Sequence, residues 1–254
     1  MKIPSSLITG VALFALCAIF VSGQADLDAR IAQQGEALVK QHVVWKTKLS
    51  SPGASIRVKA VGRQGSLLQY HLDVSGLPSN QLYRVSTWPI TQPEPSELME
   101  GVSLGEDGIV MCAGRTPQQC GDPSQKDDPI EFTFNATKGE PSRIALASGS
   151  DRAAVVIVPN PITSKDKGCR LSVEQLTPRF EVAYFTGAGF PPNSDVSFET
   201  RSYDETHPIK TKTGAEGNLE FAILPFVAGH QKSTTTVKGL GVECSPSIKF
   251  DWGN

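Results

Sequence analysis

From Ser55 onward the chain alternates. Arg57 and Lys59 separate Ile56, Val58 and Ala60, and Gln69, His71 and Asp73 separate Leu68, Tyr70, Leu72 and Val74. A two-residue period sends like side chains to one face of an extended backbone, so these runs predict half-buried strands and not helices. Residues 62–65, between the two runs, predict a hairpin loop. Further short runs follow at 82–87, 109–112, 130–134, 143–147 and 154–158. The segments Gly76-Leu-Pro-Ser-Asn80, Glu106-Asp-Gly108 and Lys138-Gly-Glu-Pro141 connect them and are built from turn-forming residues. Many short strands without intervening helices predict an antiparallel sandwich or barrel.

The pattern stops at 158–168, where Pro159 and Pro161 sit in a charged stretch with no apolar periodicity. This predicts a domain boundary carried by a stiff connector. The alternation then returns: Leu171 and Val173; Phe180, Val182 and Tyr184; Val196 and Phe198; Ile209; Leu219, Phe221 and Ile223; Thr235 and Val237; Ile248, Phe250 and Trp252. About seven short runs in so short a span match the strand count of an immunoglobulin-like sandwich.

One segment carries a family resemblance. Tyr184-Phe-Thr-Gly-Ala-Gly-Phe-Pro-Pro-Asn-Ser-Asp-Val-Ser-Phe198 resembles a stretch common in bacterial immunoglobulin-like domains: a Gly-x-Gly-Phe turn, a proline/asparagine step, then an alternating strand. Gly187 and Gly189 are the residues that permit positive φ in such a crossover, Phe190 can cap the core, and Pro191 and Pro192 end a strand. Thr213-Gly-Ala-Glu-Gly-Asn-Leu-Glu-Phe221 resembles a hairpin of the same class. The resemblance spans residues 171–252. It implies a fold and no particular activity, since such sandwiches serve many roles. The preceding domain resembles no family.

The N-terminus reads as a secretory signal peptide: Lys2, an apolar run from Leu7 to Val21, then Ser22, Gly23 and Ala25. The run is short for a membrane span, which takes about 20 apolar residues. Leu27, Ile31, Leu38 and His42 fall on one stripe and predict a short helix or spacer. The expected order is therefore a signal peptide at 1–25, a helix or spacer at 26–50, a β-sandwich at 51–160, a linker at 161–168 and an immunoglobulin-like β-sandwich at 169–254. The fold class is all-β, with two consecutive antiparallel sandwiches.

Of the five cysteines, Cys17 lies in the signal. An exported chain is oxidised, so Cys112, Cys120, Cys169 and Cys244 are expected in disulfides. Three pairings are open, and spacing favours Cys112 with Cys120 and Cys169 with Cys244. The second bridge would clamp the ends of the second domain. The first spans Gly114 and Pro117 and is wider than a Cys-x-x-Cys redox motif. It predicts a stapled loop presenting Arg115, Gln118 and Gln119.

Little catalytic chemistry is legible. His42, His71, His207 and His230 lack zinc-site spacing. No serine has a readable base partner, and nothing picks out a carboxylate pair. Asp122, Asp127 and Asp128 surround Lys126 without the spacing of a calcium loop. No metal or cofactor is expected, and the net charge of −2 without a basic cluster argues against nucleic acid. Trp88, before a proline-rich loop, and Tyr203 and His207, in an acidic hairpin, join Arg115, Gln118 and Gln119 as candidate contact residues. The chain is expected to be a non-enzymatic exported protein that acts in binding, adhesion or envelope architecture. Its partner would be a protein or glycan at the cell envelope. The alternatives are an exported hydrolase with a site assembled from separated residues, or a carbohydrate-binding module.

Overall fold

The computed structural model describes residues 37, 50–65, 67–112, 129–177, 179 and 181–253. The expected N-terminal signal and, Ala37 apart, the expected helix lie outside these residues, as do Cys120, the loop displaying Arg115, Gln118 and Gln119, and the acidic residues Asp122, Asp127 and Asp128. Eight strands come from the first half: β1 (Ser55–Gln64), β2 (Leu67–Ser75), β3 (Tyr83–Pro89), β4 (Ser96–Leu104), β5 (Val110–Cys112), β6 (Phe132–Thr133), β7 (Ser142–Ser148) and β8 (Asp151–Ile157). They form a three-stranded sheet, β1-β2-β6, and a five-stranded sheet, β5-β4-β3-β7-β8. Between these sheets lie Tyr70, Leu72 and Val74 from β2, Tyr83 and Val85 from β3, and Ile144 and Leu146 from β7. These are the apolar members of the alternating runs, and the strand pleat delivers them to a common interior.

The second half forms β9 (Ile162–Asp166), β10 (Cys169–Gln175), β11 (Ala183–Ala188), β12 (Asp195–Ser202), β13 (Glu205–Lys212), β14 (Leu219–Ile223), β15 (Lys232–Gly239) and β16 (Ser247–Gly253). Its sheets run β14-β11-β10-β9 and β13-β12-β15-β16. Aromatic rings bridge the two layers: Phe185 stacks on Phe221 at 4.7 Å between centroids, and Phe198 reaches Phe221 from the opposite sheet at 5.0 Å. Trp252 is buried, as expected for the end of the last strand.

The two halves repeat one wiring. In the first, β1 and β2 pair, the chain crosses to β3, and β7 and β8 pair beside it. In the second, β10 and β11, β12, and β15 and β16 do the same. The turn after the second strand is also repeated, as Gly76-Leu-Pro-Ser-Asn80 and Gly189-Phe-Pro-Pro-Asn193. Gly76 and Gly189 both have positive φ, at 75° and 77°. A Cβ there would lie 2.2 Å from the Gly53 carbonyl oxygen or 2.4 Å from that of Gly168. Glycine is thus required by both conformation and space. Gly187 plays a different part from the one expected: its φ is not positive, and a side chain would strike Leu219 and Phe190 at 2.8 Å.

Three local expectations are corrected. Ile162–Asp166, placed in the linker, is strand β9 and pairs along β10 from Ile162↔Val173 to Cys169↔Asp166. Residues 96–104, which follow the proline-rich loop and carry no expected strand, form β4 between β3 and β5. The hairpin loop expected at 62–65 is shorter, because β1 runs to Gln64 with a bulge between Ala60 and Gly62. Ser50 and Ser51 cover the outer edge of β8: Ser51 N donates to Arg152 O at 2.7 Å, and Ala154 N donates to Ser50 Oγ at 2.9 Å. An unpaired strand edge is an aggregation template, and these bonds occupy it.

Candidate functional site

The end of the second sandwich remote from the first is built around a disulfide. Cys169 opens β10, Cys244 lies between β15 and β16, and they are bonded with Cα atoms 6.1 Å apart. The β15–β16 loop is fastened on several sides. Ser245 N donates to Asp166 Oδ2 at 2.6 Å, Ser245 Oγ to Gly241 O at 2.6 Å, and Leu240 N to Ser197 O at 2.9 Å. Yet the loop turns its aliphatic side chains outward: Val242 is 96% exposed and Leu240 52%. The loop thus holds two aliphatic side chains in water beside strands that bury Val237 and Ile248.

The opposite end meets the first sandwich. Ile90, just after β3, packs on Leu176, Val182 and Tyr184 with Leu224. Glu140, buried between two loops, holds Ile90 in position. Its carboxylate accepts from Thr137 N at 3.0 Å, from Thr91 N at 3.3 Å and from the Thr91 hydroxyl. Gln175 continues the junction, with its N–H on Gly139 O at 2.8 Å and its Nε2 on Asp251 O at 2.6 Å. Tyr184 donates to Glu220 Oε2 at 2.5 Å. Burial raises the Tyr184 pKa above the ordinary phenol value, and the Glu220 carboxylate raises it further.

Beside this junction the second sandwich carries a cleft of about 340 Å³ lined by Arg179, Glu181, Phe226, His230, Gln231 and Trp252. Trp252 is fixed, because its Nε1 donates to Ser202 Oγ at 2.9 Å and Ser202 Oγ donates to Pro225 O at 2.6 Å. Phe226 is 38% exposed. Tyr203, at the tip of the β12–β13 hairpin, is 55% exposed, and its ring lies 3.8 Å from that of His230.

The candidate contact residues are not brought together. Trp88 lies on the first sandwich, half-buried, its Nε1 on Gln92 O at 2.8 Å and the Arg143 guanidinium 5.0 Å above its ring. Tyr203 and His207 share the β12–β13 hairpin. His207 is not at its tip but opposite Thr200 in the ladder, with Nε2 3.1 Å from Glu205 Oε2. Cys112 is disulfide-bonded, and its partner lies outside the described residues because Cys169 and Cys244 are joined to each other. Sequence reasoning missed Leu240, Val242, Arg179 and Phe226. The signal available was Gly239-Leu-Gly-Val-Glu243, two aliphatics beside glycines outside any alternation. Among the described residues, no three His, Cys, Asp or Glu side chains are grouped to hold a metal, and no helix is long and apolar enough to cross a membrane.

A scan of the sequence against protein-family models finds no match, and a search among curated proteins finds none either. The class is defined by the fold itself: a tandem of antiparallel β-sandwiches, with a disulfide-clamped loop at one end of the second and an aromatic cleft at the other.

Proposed function

We propose that this is an exported, non-enzymatic binding protein of the cell envelope, whose second sandwich is an immunoglobulin-like module presenting a partner-binding loop. The disulfide supports an oxidising compartment, and the repeated crossover wiring supports the immunoglobulin-like assignment. One observation carries the reading: the clamped β15–β16 loop displays Val242 and Leu240 to solvent. Folding gains nothing from leaving two aliphatic side chains in water, whereas a partner that buries them gains roughly 1.5–3 kcal/mol from the almost fully exposed Val242 and about half of that from Leu240. A loop already ordered by covalent and hydrogen bonds also loses less entropy on binding.

The test is co-precipitation from envelope fractions with the mature protein and with Val242→Glu and Leu240→Ser. Both positions are exposed, so the variants retain the fold. A partner retained by the wild type and lost with both variants is the expected result. A wild type that captures nothing, or capture indifferent to both substitutions, overturns the reading.

A further inference from the structure

Tyr203 is an expensive residue to keep where it is. Its backbone is left-handed, with φ 54°. Asn, Asp or Gly takes that conformation at a hairpin tip with little strain, and a bulky side chain does not. Core packing does not repay the strain, because the ring is more than half exposed. It is nevertheless oriented by its contact with His230. Strain that persists at an exposed, oriented side chain points to a role outside the fold.

The surroundings indicate the kind of ligand. Phe226 offers a second exposed ring, and the floor, Trp252, is locked by Ser202. Aromatic faces carry negative charge density and attract the polarised C–H face of a flat ligand. The rim supplies Arg179, Glu181 and Gln231: planar groups that donate, accept, or do both, with opposite charges side by side. An anion would meet Glu181 and a cation Arg179. A peptide anchor would need an apolar socket, and the buried Trp252 side chain fills the floor. The chemistry that suits all of these groups has an apolar C–H face, many hydroxyls and no net charge. We propose that this cleft is a second binding site, specific for neutral carbohydrate, with Tyr203 and Phe226 as stacking platforms and Arg179, Glu181 and Gln231 as hydroxyl partners.

The site lies at the opposite end of the second sandwich from Val242, since β12 pairs with β15 from Phe198↔Gly239 to Ser202↔Thr235. The two proposals therefore stand on separate residues and fail separately. Isothermal titration of the full mature chain with cello-, xylo-, malto- and chito-oligosaccharides tests the second. Binding of at least one series at millimolar affinity or tighter is expected. Tyr203→Ala should weaken it about tenfold and Tyr203→Phe by no more than about twofold. Tyr203→Gly separates this role from a structural one: it should raise the melting temperature by relieving the backbone while weakening the sugar. Val242→Glu should leave the affinity unchanged. No binding in any of the four series, affinity unaffected by both Tyr203→Ala and Phe226→Ala, or capture of peptides in place of sugars by the cleft would overturn the proposal.

Discussion

Tyr184 ties the junction to the second sandwich, packing against the Ile90 cluster while its hydroxyl donates to Glu220. Its pKa is raised in the fold, so the native state holds the phenol proton after the unfolded chain has released it. The unfolded chain then binds fewer protons, and stability falls as pH rises. The contribution is complete below the unfolded phenol pKa of about 10 and declines above it. Urea midpoints of the wild type should fall between about pH 9 and pH 11, and the fall should be shallower in Tyr184→Phe. Equal slopes would show that the residue does not titrate as described. Residues of this kind were partly legible in the sequence. Trp252 announces itself as core through its place in an alternating run, and Phe190 through the Gly-x-Gly-Phe turn of the resemblance. Alternation groups Tyr184 with Val182 on the face expected to fill the sandwich; the structure puts Phe185 between the sheets instead, and the junction cluster takes Val182 and Tyr184. Tyr184 is buried because a loop from the other sandwich covers it, which no local pattern records.

At the level of strands, the alternating runs located most of both sandwiches, and the two omissions have a common cause. In β4, Ser96-Glu-Leu-Met-Glu-Gly-Val-Ser-Leu104, register shifts against β3 break the period. In β9, Ile-Thr-Ser-Lys-Asp buries only Ile162, so a single apolar residue stands where a pattern needs several. The repeated turn at Gly76 and Gly189 was readable but was recognised in the second half alone, because Leu77-Pro-Ser lacks the Phe-Pro-Pro signature. The clamp between Cys169 and Cys244 was legible because the two cysteines stand before the first and last alternating runs of the second half. It closes a separation of 75 residues. In the chain-entropy model, a double Cys169→Ser/Cys244→Ser variant should lose roughly 4–5 kcal/mol in denaturant unfolding. Identical midpoints for the oxidised protein and the variant would remove the clamp from the account.

For the whole molecule, the junction decides whether two sandwiches behave as one object. Ile90 enters an apolar cluster on the second sandwich, and Glu140, Gly139 and Gln175 surround it with satisfied hydrogen bonds. Sequence offered only a proline-rich boundary here, since the contact joins residues far apart in the chain. Ile90→Glu should place a charge in that cluster at a cost of about 2–4 kcal/mol while leaving both cores intact. Small-angle scattering should then show a broader range of interdomain distances, and an unchanged curve would mean that the cluster does not hold the halves together. The Cys169–Cys244 bridge has a mechanical consequence as well. At about 3.5 Å of contour per extended residue, it withholds about 260 Å from any extension of the chain by its ends. Under load the second sandwich yields only the short stretches outside its covalent loop. The second sandwich therefore acts as a nearly inextensible link, and a force-extension trace of the Cys169→Ser/Cys244→Ser variant should exceed that of the oxidised wild type by about that length.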